Sequence, residues 1–224
     1  MTPILLFAAG KGTRMHPLTH DRPKPLIEVA GKTLLDHALD LTADQPLGPR
    51  VVNLHYKGGM IRDHLVGQDV AFSPEETLLE TGGGLRHALP VLKGSPVVTL
   101  NTDAVWRGDN PVAALLSAWR DEMDALLLVV PQDHAIGHHG RGDFALDENG
   151  KLSRGAGTIY TGLQMVRTDL LDHMPDGAFS MNLLWDKMIA RGGLHGLLYD
   201  GLWCDVGQPD SIPLAERMLE GSHV

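Results

Sequence analysis

The sequence of 224 residues holds a single cysteine, Cys204. One thiol excludes an internal disulfide framework and a cysteine-based zinc cluster. Long apolar runs are missing too, none approaching the roughly 18–20 residues needed to cross a bilayer. The first apolar stretch, residues 4–10, is short, lacks a basic leader and runs straight into a glycine loop. It reads as a buried strand and not as a secretory signal, so the cytoplasm is the expected compartment and no membrane is expected as a partner. Positive charge is scarce, with 19 Lys and Arg against 28 Asp and Glu and a formal net charge of −9. That balance argues against nucleic acid as a partner, because backbone binding needs a basic face. A small phosphorylated ligand stays open, since a few local cations can reverse the field inside one cleft. There is no repeat, low-complexity tract or linker.

What is present is a globular composition, 43% apolar and 21% charged, in a length that suits one domain, residues 1–224. Short β-branched runs at residues 4–8, 51–54, 70–72, 96–100 and 125–130 read as strands. Between them, residues 34–41, 60–65, 84–89 and 112–119 carry helical periodicity. Further on, residues 144–146 and 151–152 suggest a hairpin, with Asn149-Gly150 as its turn signal. A strand at 158–166, a helix at 182–190, a strand at 194–199 and a helix at 212–219 complete the chain, with Pro213 tolerated in the last helix's first turn. Apolar strands separated by helices imply a sheet covered on both faces. The expected fold class is α/β: a doubly wound, mostly parallel mixed sheet with a small antiparallel excursion near residues 140–166.

The first strand ends in Ala8-Ala9-Gly10-Lys11-Gly12-Thr13-Arg14-Met15. Small residues after a buried strand let backbone N–H groups approach a ligand that Cβ atoms would block. Open α/β sheets bind ligands at this end of their strands. The loop is not a dinucleotide fingerprint, because Met15 takes the third glycine position, and it lacks the spacing of a P-loop. Arg22-Pro23-Lys24-Pro25 follows, and prolines on both sides restrict the backbone around Lys24. Three cations, Arg14, Arg22 and Lys24, would match the charge of a triphosphate; an ordinary solvated basic face is the alternative.

The run Gly-Lys-Gly-Thr-Arg-Met, then Pro17-Leu18-Thr19, then Pro23-Lys24-Pro25-Leu26 resembles the signature of the sugar-1-phosphate nucleotidyltransferase family. The resemblance implies a Rossmann-like core whose nucleotide-binding part spans about 1–130 and whose sugar-binding part spans about 131–224. It implies that the loop from Ala8 to Thr13 wraps a triphosphate, and that Arg14 and Lys24 stabilise the α-phosphate and the departing pyrophosphate. Farther along, Glu80-Thr81-Gly82-Gly83-Gly84 permits close backbone approach and offers polar edges, or Thr81 simply caps a helix. The family sets a glycine-rich segment here against the base. In its Glu-Thr-Gly-Gly-Gly form the segment looks most like the uridylyltransferases that act on N-acetylmuramate 1-phosphate in cell-wall recycling.

Asp103 follows a buried strand in Asn101-Thr102-Asp103, and Asp205 stands among apolar neighbours in Trp203-Cys204-Asp205-Val206-Gly207. Each alone could be a turn or cap residue. Facing one another they would need a cation, and magnesium prefers one or two carboxylates with phosphate oxygens and water. The family holds magnesium with an aspartate after the central strand and another in a Trp-x-Asp-x-Gly context, which implies that role for Asp103 and Asp205. Members often have Gly-Asp where this chain has Thr102-Asp103.

His138-His139-Gly140-Arg141-Gly142-Asp143-Phe144 fits a loop closing on a polyol, with Asp143 accepting sugar hydroxyls; adjacent histidines without a third ligand make a poor zinc site. A very similar stretch occurs in the same uridylyltransferase subgroup. Gly142 belongs to that loop, Thr161-Gly162 with Gly157 before it match where the family contacts sugar, Asp205 is counted on the sugar side as well as at the metal, and Asn53 and His55 at the end of the second strand are softer sugar-side candidates. The expected reaction joins UTP to N-acetylmuramate 1-phosphate with magnesium as cofactor, Arg14, Lys24 and Asp103 being catalytic. Mannose or glucose 1-phosphate with GTP or dTTP is the alternative, and a non-catalytic nucleotide-sugar sensor is the rival of another class. Without the C-terminal β-helix of larger members, a monomer or homodimer is expected.

Overall fold

The first apolar run forms β1 (Thr2–Phe7), and its alternation decides what covers it: Ile4 and Leu6 point into one apolar cluster, Leu5 into another. That two-sided burial repeats across the sheet. The computed structural model describes residues 1–138 and 140–221. After β1 come the strands β2 (Glu28–Val29), β3 (Lys32–Thr33), β4 (Leu47–Leu54), β5 (Ala71–Pro74), β6 (Val97–Asn101), β7 (Ala104–Arg107) and β8 (Ala125–Pro131). The remaining strands are β9 (Ala135–Ile136), β10 (Phe144–Leu146), β11 (Leu152–Arg154), β12 (Thr158–Val166), β13 (Leu194–Leu198) and β14 (Leu202–Asp205). The helices are α1 (Leu34–Thr42), α2 (Gly58–His64), α3 (Glu80–Leu92), α4 (Pro111–Ala118), α5 (Met181–Ala190) and α6 (Ser211–Glu220).

Across the main sheet the order is β5-β4-β1-β6-β12-β8-β13. β1 pairs in parallel with β4 and β6, β4 with β5, and β8 with β13. Only β12 runs against these neighbours, being antiparallel to both β6 and β8. The expected antiparallel excursion is therefore partly inside the main sheet, while the β10–β11 hairpin extends from the start of β12. Side chains of α1, α2 and α4 pack in one cluster, including Leu35, Ala38, Ile61, Val112 and Leu115. Those of α3 and α5 pack in the other, including Leu85, Ala88, Leu92, Leu184 and Met188. Helices on both faces make the sheet doubly wound.

A second, three-stranded sheet, β7-β14-β9, lies under α6. Its own cluster holds Val105, Cys204, Val206, Ala215 and Met218, together with Met15 from the glycine loop. These strands of two to four residues are too short to show a period in sequence. They carry Asp205 to its place.

Candidate active site

At the carboxyl ends of β1, β4 and β6 the chain leaves an open cleft of about 480 Å³. Gly12 has φ 61, and a Cβ there would stand 2.9 Å from Cβ of Lys24 and 3.0 Å from Cγ2 of Thr19. Glycine is required for both conformation and contact. Fully buried Met15 pins the loop from beneath. The Thr19 hydroxyl donates to the Gly12 carbonyl at 2.9 Å, and the Tyr56 hydroxyl donates to the Thr19 carbonyl at 2.9 Å. Ala8, Ala9, Gly10, Gly12, Thr13, Arg14 and Lys24 line the cleft. Lys11 and Arg22 do not; both are exposed, as charges without a buried partner prefer. The cationic set facing the cleft is smaller than expected.

The two acids meet. In the antiparallel β7–β14 pair Ala104 stands opposite Asp205, and the Val206 N–H donates to the Asp103 carbonyl at 2.9 Å. Lys24, 8% exposed, donates from Nζ to Oδ2 of Asp103 at 2.8 Å. Burial and then the Asp103 charge push the Asp205 carboxyl above the usual carboxylate range, with Lys24, Arg14 and His138 offsetting part of the effect. A Cβ on Gly207 would lie 2.8 Å from Oδ2 of Asp205 and 3.4 Å from Nη1 of Arg14. Arg14, Lys24 and Asp103 line the cleft, and Asp205 stands behind them, outside the lining but near enough for its charge to act on all three. The Thr102 hydroxyl donates to the Phe7 carbonyl at 2.7 Å, so its extra bulk ties the end of β6 to the end of β1.

Glu80 and Thr81 line the cleft as well, and Glu80 adopts a left-handed φ of 58, unusual for a residue with a side chain. The expected helix at 84–89 begins earlier, at Glu80, and absorbs the glycines. Gly82 and Gly83 are not cleft residues: their N–H groups donate to the Phe179 carbonyl at 3.0 and 3.1 Å. A Cβ at Gly82 would meet the Phe179 ring at 2.4 Å, and one at Gly83 the Gly177 carbonyl at 2.8 Å. Close packing of chain on chain accounts for both. The Thr81 hydroxyl accepts the Met181 N–H at 3.0 Å, serving the start of α5 and not of its own helix.

The sugar-side candidates are placed differently. Asp143 is exposed, and its Oδ2 accepts the Tyr160 N–H at 2.9 Å. Gly142, at φ 98, presses on Gly157, where a Cβ would come within 2.7 Å of the backbone nitrogen. Gly157 in turn packs on the Phe144 carbonyl, and the buried Thr161 hydroxyl donates to the Leu128 carbonyl at 2.7 Å. None of these four lines the cleft. Their polar groups and their lack of Cβ serve the fold of the hairpin and β12. Asn53 does line the cleft, but at the end near α3, with its amide engaged by protein groups. His55 pairs with the Glu75 carbonyl at 3.0 Å. His139 lies outside the described residues, and His138 sits with its ring 6.4 Å from that of Trp203.

Several lining residues carried no signal in sequence. Glu75 follows Pro74 in a Pro-Glu-Glu run that reads as solvated, yet it is 5% exposed. Ser180 lines the cleft and caps α5, a role that its residue type announces and its location does not. Among the described residues no group of three or more His, Cys, Asp or Glu gathers, so the acid pair stands alone.

This arrangement is that of a nucleotidyltransferase. Residues 4–188 match the MobA-like NTP transferase domain, and the chain belongs to that family. It is 38% identical to the N-acetylmuramate alpha-1-phosphate uridylyltransferase of Caulobacter vibrioides, over 96% of each chain. It is 32% identical to the protein of the same name from Neisseria meningitidis, over 91% of this chain and 92% of that one. The crystal structure of HddC from Yersinia pseudotuberculosis superposes with a TM-score of 0.79 at 22% identity, covering 98% of this chain and all of that one, and shares the fold. No helix among the described residues is long and apolar enough to cross a membrane.

Proposed function

We propose that the chain transfers a uridylyl group from UTP to N-acetylmuramate 1-phosphate, releasing pyrophosphate. The observation that carries this reading is the gathering of Asp205 with Arg14, Lys24 and Asp103, the last three of which line the cleft. An oxygen of the sugar phosphate attacks the α-phosphorus in line, and the bond to the bridging oxygen of pyrophosphate breaks. No covalent enzyme intermediate is needed, so catalysis consists of positioning and charge neutralisation. The tied glycine loop places the triphosphate, while Arg14 and Lys24 offset charge gathering on the leaving group. Full-length likeness to two uridylyltransferases supports the choice of base and sugar.

Asp103 and Asp205 fit a magnesium ion. Burial and then the Asp103 charge raise the Asp205 carboxyl, a strain that a divalent cation relieves, and magnesium completes its shell from phosphate oxygens and water. Bound there, it would supply neutralisation of charge on the reacting phosphates. The reading places the protein in the cytoplasm, as a monomer or homodimer.

Pyrophosphate release tests it. UTP, GTP and dTTP are each paired with the 1-phosphates of N-acetylmuramate, mannose and glucose. UTP with N-acetylmuramate 1-phosphate is expected to be fastest. Fastest release from GTP with mannose 1-phosphate would move the substrate assignment, and nucleotide binding without release from any pair would make the protein a sensor.

A further inference from the structure

Asn53, the last residue but one of β4, lies at the floor of the cleft and is 3% exposed, a costly place for an amide unless every group is paired. Both ends are paired. Oδ1 accepts the Ala8 N–H at 2.6 Å, and Nδ2 donates to Oε1 of Glu75 at 2.7 Å. The other oxygen of Glu75 accepts the Leu79 N–H at 3.0 Å, one residue before α3 begins at Glu80. Three hydrogen bonds in series therefore join the first residue after β1, where the glycine loop begins, to the residue that precedes the helix carrying Glu80 and Thr81. The segments are otherwise far apart in sequence.

We propose that Asn53 is a positioning residue that sets the glycine loop and the start of α3 in register, so that the triphosphate and the base are held at one fixed span. The proposal rests on the nucleotidyltransferase reading of the cleft. Asn53 acts through Ala8 and Glu75. Gly84 belongs to the same device: a Cβ there would stand 2.8 Å from Oε1 of Glu75 and 3.2 Å from Nδ2 of Asn53, so a side chain would force the clamp open.

The donor and acceptor pattern gives a sharp test. Asn53→Asp sets two acceptors face to face. Glu75→Gln leaves one oxygen to satisfy two donors, the Asn53 amide and the Leu79 N–H. The double variant, Asn53→Asp with Glu75→Gln, restores all three bonds: the introduced carboxylate accepts from Ala8 and from the introduced amide, whose oxygen accepts from Leu79. We expect each single variant to raise KM for UTP about tenfold or more with a smaller fall in kcat, and the double variant to return both to within about threefold of the parent. Amide exchange at Ala8 and Leu79, read without substrate, should quicken in the singles and slow again in the double. Gly84→Ala, a milder change, should quicken exchange at Leu79 and raise KM in the same direction, which keeps the test open if a single variant does not fold. Unchanged exchange in the singles or in Gly84→Ala overturns the clamp. So do lowered melting temperatures with KM unchanged. A folded double variant with restored exchange but unrestored KM also overturns it, because the native carboxylate of Glu75 then acts on the ligand directly. If the parent turns over no triphosphate and sugar phosphate pair, the proposed function fails while the exchange measurements still judge the clamp.

Discussion

Gly12 and Gly142 both sit at positive φ, at 61 and 98, and both touch a neighbour too closely for a Cβ. At Gly12 the neighbour is Lys24, whose amine reaches Asp103 at the rim of the cleft. At Gly142 the neighbours are the Gly157 nitrogen and the Thr158 carbonyl, and the contact closes a hairpin on itself. The same division holds for the polar side chains: Arg14 lines the cleft beside two acids, whereas Asp143 and Thr161 bond backbone groups of their own sheet. A glycine or a carboxylate in a loop points to a ligand only when the protein has not already claimed it.

Substitutions can break that contrast. The largest effect is expected at Asp103→Ala, which should lower turnover by about 10³-fold or more with circular dichroism unchanged, because the acid pair and the Lys24 partner are lost together. Near-normal pyrophosphate release would separate the rim from the chemistry. Lys24→Met should lower kcat by about 10²–10³, as typical for a charge-stabilising contact in a desolvated site. A purely structural lysine would instead change melting temperature and leave kcat alone.

Asp205→Asn should stabilise the metal-free protein by about 1 kcal/mol at neutral pH while abolishing turnover, the trade expected where function keeps two acids together. The sign follows from the raised carboxyl. Asp205 favours the folded state fully below the ordinary aspartate pKa, and that contribution is lost as pH rises through its higher folded value. The advantage of Asn over Asp should thus shrink as pH falls below the raised folded value and disappear only below the ordinary aspartate pKa; denaturant melts at several pH values read it. Smallest is Thr161→Val, which removes the hydroxyl that donates to Leu128. It should cost about 1 kcal/mol of stability and leave KM for the sugar phosphate within about twofold. A tenfold rise in that KM would put the sugar at β12 and erase the distinction between the two regions.

Much of the fold was legible because burial leaves a period. The strand expected at 158–166 is β12 residue for residue, and the helices at 34–41 and 182–190 differ from α1 and α5 by single residues at an end. The helix over the glycines was shortened in sequence because glycine carries a poor helix propensity. Phe179 and Gly177 leave no room for anything else there, and that packing overrides propensity. Short β7, β9 and β14 gave no period to detect.

The amino-acid order alone determined which loop follows the first buried strand, that Lys24 is held between prolines, and that Asp103 ends a strand, because each is a local matter of backbone and neighbours. Whether Asp103 and Asp205 are neighbours was decided by the pairing of β7 with β14, a contact between segments about a hundred residues apart. Tertiary structure also decided the fate of Asn53, Asp143 and Thr161. A polar side chain can bond ligand or protein, and only folding supplies the partner that settles which.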